Sequence, residues 1–358
     1  MPRTPRVSVV VAAYNAARYV GATIRSVLAQ TFQDFDVVVV DDGSTDGTAE
    51  VVAAISDPRI RLLRQANAGP AAARNCGIFQ STGAYVAIVD ADDQWTPTKL
   101  AEQVALLEAQ PRVGACFTHL EVIDPDDRSL AGTLEEAWFN VPPPESAVAL
   151  AELLATRNRL AQSSALLRRA AVESVGGYDV DFVAVEDFDL WLRLLHTWDV
   201  AVIPKPLTRY RVHPTSLTSA TAHSYRMLQM ALIVQRALAS LPLERIYPWL
   251  NQPYATPAER DEAYARAHLA LAGQLQSSGF VELLPAALDQ LHRARALAPA
   301  LVSREMIQQL AQARTQALTL NSLDAFSWRT VLERGWARLR AGPSGWTARL
   351  AGRGRRRG

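Results

Sequence analysis

The chain has 358 residues, 49% of them hydrophobic and 20% charged, which excludes a disordered or fibrous protein and leaves room for two domains, or one large domain with an appendage. The net charge of +1 conceals opposite halves: residues 1–220 carry 19 basic against 27 acidic side chains, the remainder 18 against 9. Such a split excludes a uniformly basic nucleic-acid-coating chain and implies parts with different partners.

In chain order, "VSVVVAA" at 7–13 is a near-continuous apolar run, as expected of a strand covered on both faces. The spacing predicts a helix from Ala17 to Gln30 with Val20, Ile24, Val27 and Leu28 on one side. "FDVVVVDDGSTDGT" repeats the plan of strand, acidic tip and glycine turn, with Ser44, Thr45 and Asp46 as candidate caps for a helix over 49–55. "RIRLLRQ" reads as a third strand and "GPAAARNCGIFQST" as a helix. "AYVAIVDADDQW", at 84–95, is a fourth strand ending in three carboxylates, and Thr96-Pro97 is a candidate N-cap and first-turn pair for a helix to Ala109. This rhythm predicts an α/β fold, a doubly wound and mostly parallel sheet, whose ligands bind outside the carboxyl ends of the strands.

The next stretch is less regular. "DPDD" and "VPPPES" mark a loop within 125–148, and a helix is expected from Ala149 to Arg157. "SSALLRR" reads as a strand, followed by a short helix, the turn "GGYD" and the amphipathic "EDFDLWLRLLHT". "VAVIPKPLTRYRVH" reads as two closing strand segments around its prolines. Beyond about residue 220 the composition becomes Ala-, Leu-, Gln- and Arg-rich with helical spacing. "YARAHLALAGQLQSSG" and "LPAALDQLHRARALAPAL" form either one tetratricopeptide-like pair or a plain helical appendage. The expected organisation is therefore a catalytic domain over 1–220, a helical region over 221–325 and a basic tail over 326–358.

Cys76 and Cys116 form neither a metal-type spacing nor a disulfide framework, which implies a reducing compartment. "MPRTPRVSVVVAAYN" has no signal-peptide pattern, and no apolar run approaches the roughly 20 residues of a membrane span. A cytoplasmic protein is expected.

The acidic tips carry the chemical signal. In an extended segment residues i and i+2 face the same way, so Asp90 and Asp92 converge while Asp93 turns aside. Two carboxylates facing open space suit a hard cation such as Mg²⁺ or Mn²⁺; the bland alternative is a solvated turn that caps the next helix. Glu186, Asp187 and Asp189 either complement a helix dipole or include a general base. Arg74, Asn75 and His213 are uninformative one by one.

Taken in order, "VSVVVAAYN", "VVVVDDGSTDGT", "NAGPAAARNCGI", "VDADDQW", "GGYD", "VEDFDLWLRL" and "YRVH" resemble the inverting family 2 glycosyltransferases of GT-A fold, over roughly residues 5–220. The resemblance implies a nucleoside-diphosphate sugar as donor, UDP favoured, and a divalent cation, Mg²⁺ or Mn²⁺, bridging Asp92 to the diphosphate. It implies Tyr14 and Asn15 beside the nucleoside, Asp41 or Asp42 on the base with Asp42 preferred, Arg74 near the nucleotide, and Asp90 and Asp93 in the donor-binding set. Asp90 and His213 are further candidate metal ligands beside Asp92. Asp187 matches the catalytic base, and Trp95 and Trp191 are candidates for lining the sugar or acceptor channel, with a core position the equal alternative for Trp191 on its apolar helix. The acceptor implied is a hydroxyl of a glycan or a lipid-linked molecule, in cell-surface polysaccharide or glycolipid synthesis.

The tail from Arg329 to Gly358 holds nine arginines and one acid, with Trp328, Val331, Leu332, Trp336 and Leu339 at helical spacing. It is either a solvated basic tail or an amphipathic helix lying on an anionic membrane surface, which would bring the enzyme to the inner face of a membrane. No nucleic-acid partner is expected. Two other functions fit parts of the pattern: a metal-dependent nucleotidyltransferase, and a non-catalytic nucleotide-sugar-binding protein that docks through its helical region.

Overall fold

Valine-rich runs become the centre of one sheet. Val7–Ala13 (β1), Phe35–Asp41 (β2), Ile60–Arg64 (β3) and Tyr85–Asp90 (β4) lie parallel, in the order β3-β2-β1-β4. Both faces of β1, β2 and β4 are buried, so alternation of polar and apolar residues is absent there. The computed structural model describes residues 4–140, 158–221, 223–277 and 283–320. These divide between two compact units, residues 1–153 with 157–226, and 154–156 with 227–358.

The first unit is an α/β sandwich. Helices Val20–Leu28 (α1), Thr48–Ala53 (α2) and Pro70–Phe79 (α3) connect the parallel strands. Val20, Ile24 and Val27 of α1 are fully buried in the core that one face of β1, β2 and β4 shares, each such side chain contributing about 1.5–3 kcal/mol of transfer free energy. On the other face, α3 approaches β1 closely: a Cβ on Gly77 would stand 2.3 Å from Val10 Cγ1. The run of small residues in α3 is thus a packing requirement.

The sheet continues through Leu166–Arg168 (β7), Val113–Ile123 (β6), Asp199–Arg211 (β8) and Gln94–Trp95 (β5), giving eight strands in the order β3-β2-β1-β4-β7-β6-β8-β5. β7 is antiparallel to β4 and β6, and β5 is antiparallel to β8. Helices Lys99–Ala109 (α4), Leu134–Phe139 (α5), Arg169–Ser174 (α6) and Glu186–Leu194 (α7) complete the unit.

Several local expectations change. The two segments expected around Pro204 and Pro206 are one strand, β8, which keeps pairing with β6 by shifting register, Thr118 opposite Ile203 and His119 opposite Pro206. A bulge lets an edge absorb prolines that cannot donate to a ladder. Helix α4 starts at Lys99, because the Thr96 hydroxyl donates to the Leu207 carbonyl at 3.4 Å instead of accepting from the helix, and the carbonyls of Thr96 and Pro97 accept from Gln30 Nε2 (2.7 Å) and Thr31 N (2.8 Å). α1 starts at Val20 because the chain is still turning at Asn15 (φ 48), and the first helical bonds run from Val20 N to the Ala16 carbonyl and from Thr23 N to that of Tyr19. The helix expected over 149–157 lies outside the described residues.

The helix His223–Ser240 leads the chain into the second unit, which contains the helices Pro257–Ser277, Leu284–Leu297 and Arg304–Leu320. Pro257–Ser277 and Leu284–Leu297 pack on one another, burying Ala265, Leu271, Leu275, Ala287 and Leu291, with His268 Nδ1 2.7 Å from Gln290 Oε1. No helix among the described residues is long and apolar enough to cross a membrane. The basic tail, 326–358, lies outside the described residues.

Candidate active site

Strand register gathers the site. Ala13 of β1 lies opposite Asp41 of β2, and Ala12 opposite Asp90 of β4, so three strands end together at their carboxyl edge. Tyr14 leaves β1 with its side chain 53% exposed, and Asn15 turns the chain with φ 48, a left-handed conformation that Asn tolerates better than most residues. That turn is pinned from the β2–α2 loop. Ser44 Oγ accepts from Asn15 N (3.0 Å), Thr48 Oγ1 from Ala16 N (2.8 Å) and Asp46 Oδ2 from Ala17 N (3.0 Å), while Asn15 Oδ1 accepts from Thr45 N (2.8 Å). Ser44 and Asp46, expected to serve α2, thus also bind N–H groups of the turn before α1, while Asp46 Oδ1 accepts from Thr48 N at the start of α2 (3.1 Å).

Asp41 and Asp42 are both buried but differ in their bonds. Asp42 accepts from Gln65 Nε2 (2.7 Å), Ala68 N (2.9 Å) and Gly69 N (2.9 Å), which ties the loop entering α3 to the end of β2. Asp41 Oδ1 accepts from Ser44 N (3.0 Å), whereas its buried Oδ2 has no hydrogen-bond partner and faces Arg64 Nε at 3.3 Å. Of the two, Asp41 retains the larger unused acceptor capacity.

Arg74 is the hub of the second acidic cluster. Nearly buried on α3, its guanidinium reaches Asp90 Oδ1 at 2.7 Å through Nη2 and Glu186 Oε1 at 2.5 Å through Nη1. It thereby joins the end of β4 to the first turn of α7. Burial pushes the Asp90 carboxyl above its ordinary range, and the Arg74 cation opposes that rise. Next to Arg74, Asn75 clamps the glycine turn, its Nδ2 donating to the Tyr178 carbonyl and its Oδ1 accepting from Tyr178 N, both at 2.8 Å. Gly177 sits at φ +76 with its α-carbon against Asn75: a Cβ there would lie 2.5 Å from Asn75 Oδ1. Arg193 of α7 closes the same turn, donating to the carbonyls of Val175 (2.6 Å) and Gly177 (2.8 Å) while holding Asp189 at 2.7 Å.

Beyond β4, Asp92 Oδ2 stands 2.9 Å from His213 Nε2, and the other ring nitrogen, Nδ1, is 2.9 Å from Thr215 Oγ1. Asp93 is buried apart from this pair. Its Oδ1 accepts from Arg211 N (2.7 Å), its Oδ2 has no hydrogen-bond partner, and burial beside Asp92 and Asp90 raises its carboxyl well above the ordinary range. Arg211 also donates from Nε to the Asp92 carbonyl (2.7 Å) and from Nη2 to Asp127 Oδ1 (2.5 Å), so one side chain sets the path of the acidic turn. Among the described residues no three His, Cys, Asp or Glu side chains gather as a ready metal cage; Asp92 and His213 supply two donor atoms of the kind a divalent cation takes, a carboxylate and an imidazole whose second nitrogen is already engaged. Asp90, by contrast, already holds the Arg74 cation through Oδ1.

The three acids of α7 separate into distinct roles. Glu186 pairs with Arg74 and Asp189 with Arg193, both as buried ion pairs. Asp187 is partly exposed and has no cationic hydrogen-bond partner among the described residues: Oδ1 accepts from Phe188 N and Oδ2 from Asn158 Nδ2, each at 2.7 Å. Burial first, then the neighbouring Glu186 charge, raises its carboxyl to about 7. Ala184, just before this helix, sits at φ 62, an uncommon conformation for a non-glycine residue.

Trp191 and Trp95 do not line a channel. Trp191 is fully buried edge-on to Phe117 at 4.8 Å and donates to the Leu160 carbonyl; Trp95 is 3% exposed, donates to the Ser163 carbonyl and underlies Lys99 Nζ at 4.0 Å. Sequence reading noted Glu186 and Asn75 without giving either a task of its own, and passed over Arg211 and Asn158. The first three stand inside motifs already singled out, beside the residues chosen. Asn158 follows an irregular stretch and carries no local signal.

The family profile described as "Glycosyl transferase family 2" matches residues 8–176. The UDP-Glc:α-D-GlcNAc-diphosphoundecaprenol β-1,3-glucosyltransferase WfaP of Escherichia coli is 30% identical over 215 residues, 60% of this chain and 80% of that one. An uncharacterised glycosyltransferase of Nostoc sp. is 41% identical over 128 residues, 35% of this chain and 39% of its own length. Among solved structures, S. aureus TarS 1–349 in complex with UDP-GlcNAc superposes with TM-score 0.60 at 19% identity, covering 91% of this chain and 92% of that one. The mannosyltransferase PcManGT of Pyrobaculum calidifontis, in complex with GDP-Man and Mn²⁺, gives TM-score 0.51 at 24% identity, covering 94% and 89%. At these identities the two structures establish a common fold.

Proposed function

The chain belongs to glycosyl transferase family 2 and is a glycosyltransferase; from that premise we propose that it moves a sugar from a UDP-sugar to a hydroxyl of a glycan or lipid-linked acceptor, with inversion at the anomeric carbon. Membership argues against the nucleotidyl-transfer and non-catalytic alternatives. The observation that carries the reading is the division of labour on α7. Two of its acids are neutralised by arginines, and the third, Asp187, keeps a partly exposed carboxylate without a cationic hydrogen-bond partner on the same Arg74-centred cluster as Asp90.

Each residue then has a task. Tyr14, Asn15 and the Asp41–Asp42 pair form the nucleoside end, with Asp41 Oδ2 as the acceptor left for the base. Arg74 positions Asp90 toward the donor and neutralises Glu186. Asp92 and His213 would hold a divalent cation, which supplies Lewis-acid stabilisation of the charge on the departing diphosphate. Asp187 accepts the proton of the acceptor hydroxyl as its oxygen attacks the anomeric carbon from the face opposite the diphosphate. The bond to the diphosphate oxygen breaks in that displacement, so no second nucleophile is needed. General-base catalysis of this kind is worth typically ~10²–10⁴ in rate.

A UDP donor and a lipid-linked acceptor are supported by the Escherichia coli relative, whose name specifies both. Placement in cell-surface polysaccharide synthesis, at the inner face of a membrane through the basic tail, is part of the same proposal, supported by the diphosphoundecaprenol acceptor in that relative's name and by the tail's composition. Calorimetric titration with UDP, with and without Mn²⁺ and with GDP in parallel, tests donor and cation together. UDP binding that needs Mn²⁺ and is lost in Asp92→Asn is the expected result. Preference for GDP would overturn the donor, and equal binding without Mn²⁺ would overturn the cation site.

A further inference from the structure

Asn158 stands where the chain re-enters the first unit before β7, 29 residues upstream of the base it touches. Its Nδ2 donates to Asp187 Oδ2 at 2.7 Å, and its Oδ1 accepts from Leu160 N at 3.0 Å. The second bond fixes the first. A backbone N–H only donates, so the amide oxygen must face Leu160, and the NH₂ group is left facing the carboxylate. Asn158 is thus a donor of fixed orientation. A donor stabilises an ionised carboxylate; a protonated one would put its hydrogen on Oδ1 or meet an NH₂ group that cannot accept it.

The surroundings show why such a donor matters. Glu186 adjoins Asp187 on α7 and Asp90 faces the cluster from β4, and both disfavour a further negative charge; the Tyr178 hydroxyl of the glycine turn stays neutral, because burial pushes it up. Arg74 of α3 is the cation in range, and it is already divided between Asp90 and Glu186. Phe188 N supplies the only other hydrogen bond to the carboxylate among the described residues.

We propose that Asn158 is a positioning residue for the transfer reaction: it orients the Asp187 carboxylate and keeps it ionised, leaving Oδ1 as the edge offered to the acceptor hydroxyl. This rests on the assignment of Asp187 as base, and the experiment separates the two. In protein labelled with ¹³C at aspartate carboxyls, the Asp187 resonance is identified by its loss in Asp187→Asn and titrated by NMR without substrate. Asn158→Ala is expected to move its midpoint upward by about one pH unit, the loss of one hydrogen bond to a charged group. Asn158→Gln, which keeps the donor on a longer arm, is expected to recover part of that shift. An unchanged midpoint in Asn158→Ala overturns the proposal whatever Asp187 does in catalysis. Sugar release from UDP-glucose with Mn²⁺ that persists unchanged in Asp187→Asn overturns the base assignment instead, and leaves the Asn158 effect on ionisation readable.

Discussion

The two acidic strand ends look alike in sequence, "VVVVDDGS" and "VAIVDADD", yet the chain treats them differently. At the end of β2, Asp42 is surrounded by donors, two backbone N–H groups and one amide, and acts as a fastener for the loop into α3. At the end of β4, Asp90, Asp92 and Asp93 crowd one another, and each takes a different partner: a guanidinium, an imidazole and a backbone N–H. The first tip is built from hydrogen bonds internal to the fold. The second holds charge that protein groups only partly balance, an imbalance that the proposed divalent cation would relieve.

The comparison can be broken most severely at Arg74. Arg74→Met leaves Asp90 and Glu186 buried without their cation, and urea unfolding is expected to show a loss of about 3–5 kcal/mol. At the quieter tip, Asp42→Ala removes the acceptor for Ala68 N and Gly69 N, with an expected loss of about 1–3 kcal/mol by the same measurement. A smaller loss for Arg74 than for Asp42 would reverse the ranking of the two tips. The mildest test uses pH. With the Asp187 carboxyl raised to about 7, turnover is expected to be low in acid, rise through about pH 7 and level off above it, because the base works only when ionised. The stability sign is opposite. A carboxyl raised on folding favours the folded state while protonated, so this contribution is present at low pH and lost as pH rises through about 7. A flat rate profile between pH 6 and 8 would remove Asp187 as the titrating base.

Much of this was legible in sequence, for identifiable reasons. The runs in β1, β2 and β4 lie in a doubly covered sheet, and such strands announce themselves by lacking alternation. The order of the motifs pointed to the family and located the acids, because strand ends and first helical turns are local features. What escaped was set by distant partners. Thr96 fails as a cap because its hydroxyl turns to the carbonyl of Leu207, over a hundred residues away. β8 stays whole through two prolines because β6 shifts register beside it. Trp191 faces Phe117 in the core although its neighbours are acids of the site. Asn158 pairs with Asp187 from 29 residues away, out of a segment that carries no motif.

The close seat of α3 on β1 has a mechanical consequence. Gly77 rests against Val10, and Arg74 and Asn75 lie within one turn of it on the same helix. Anything that lifts the helix from the strand at Gly77 lifts the guanidinium from Asp90 and the amide from Tyr178 with it. The helix therefore behaves as a lever whose pivot is a missing methyl group. A packing change on the face away from the acids would reach the site as a displacement of its central cation.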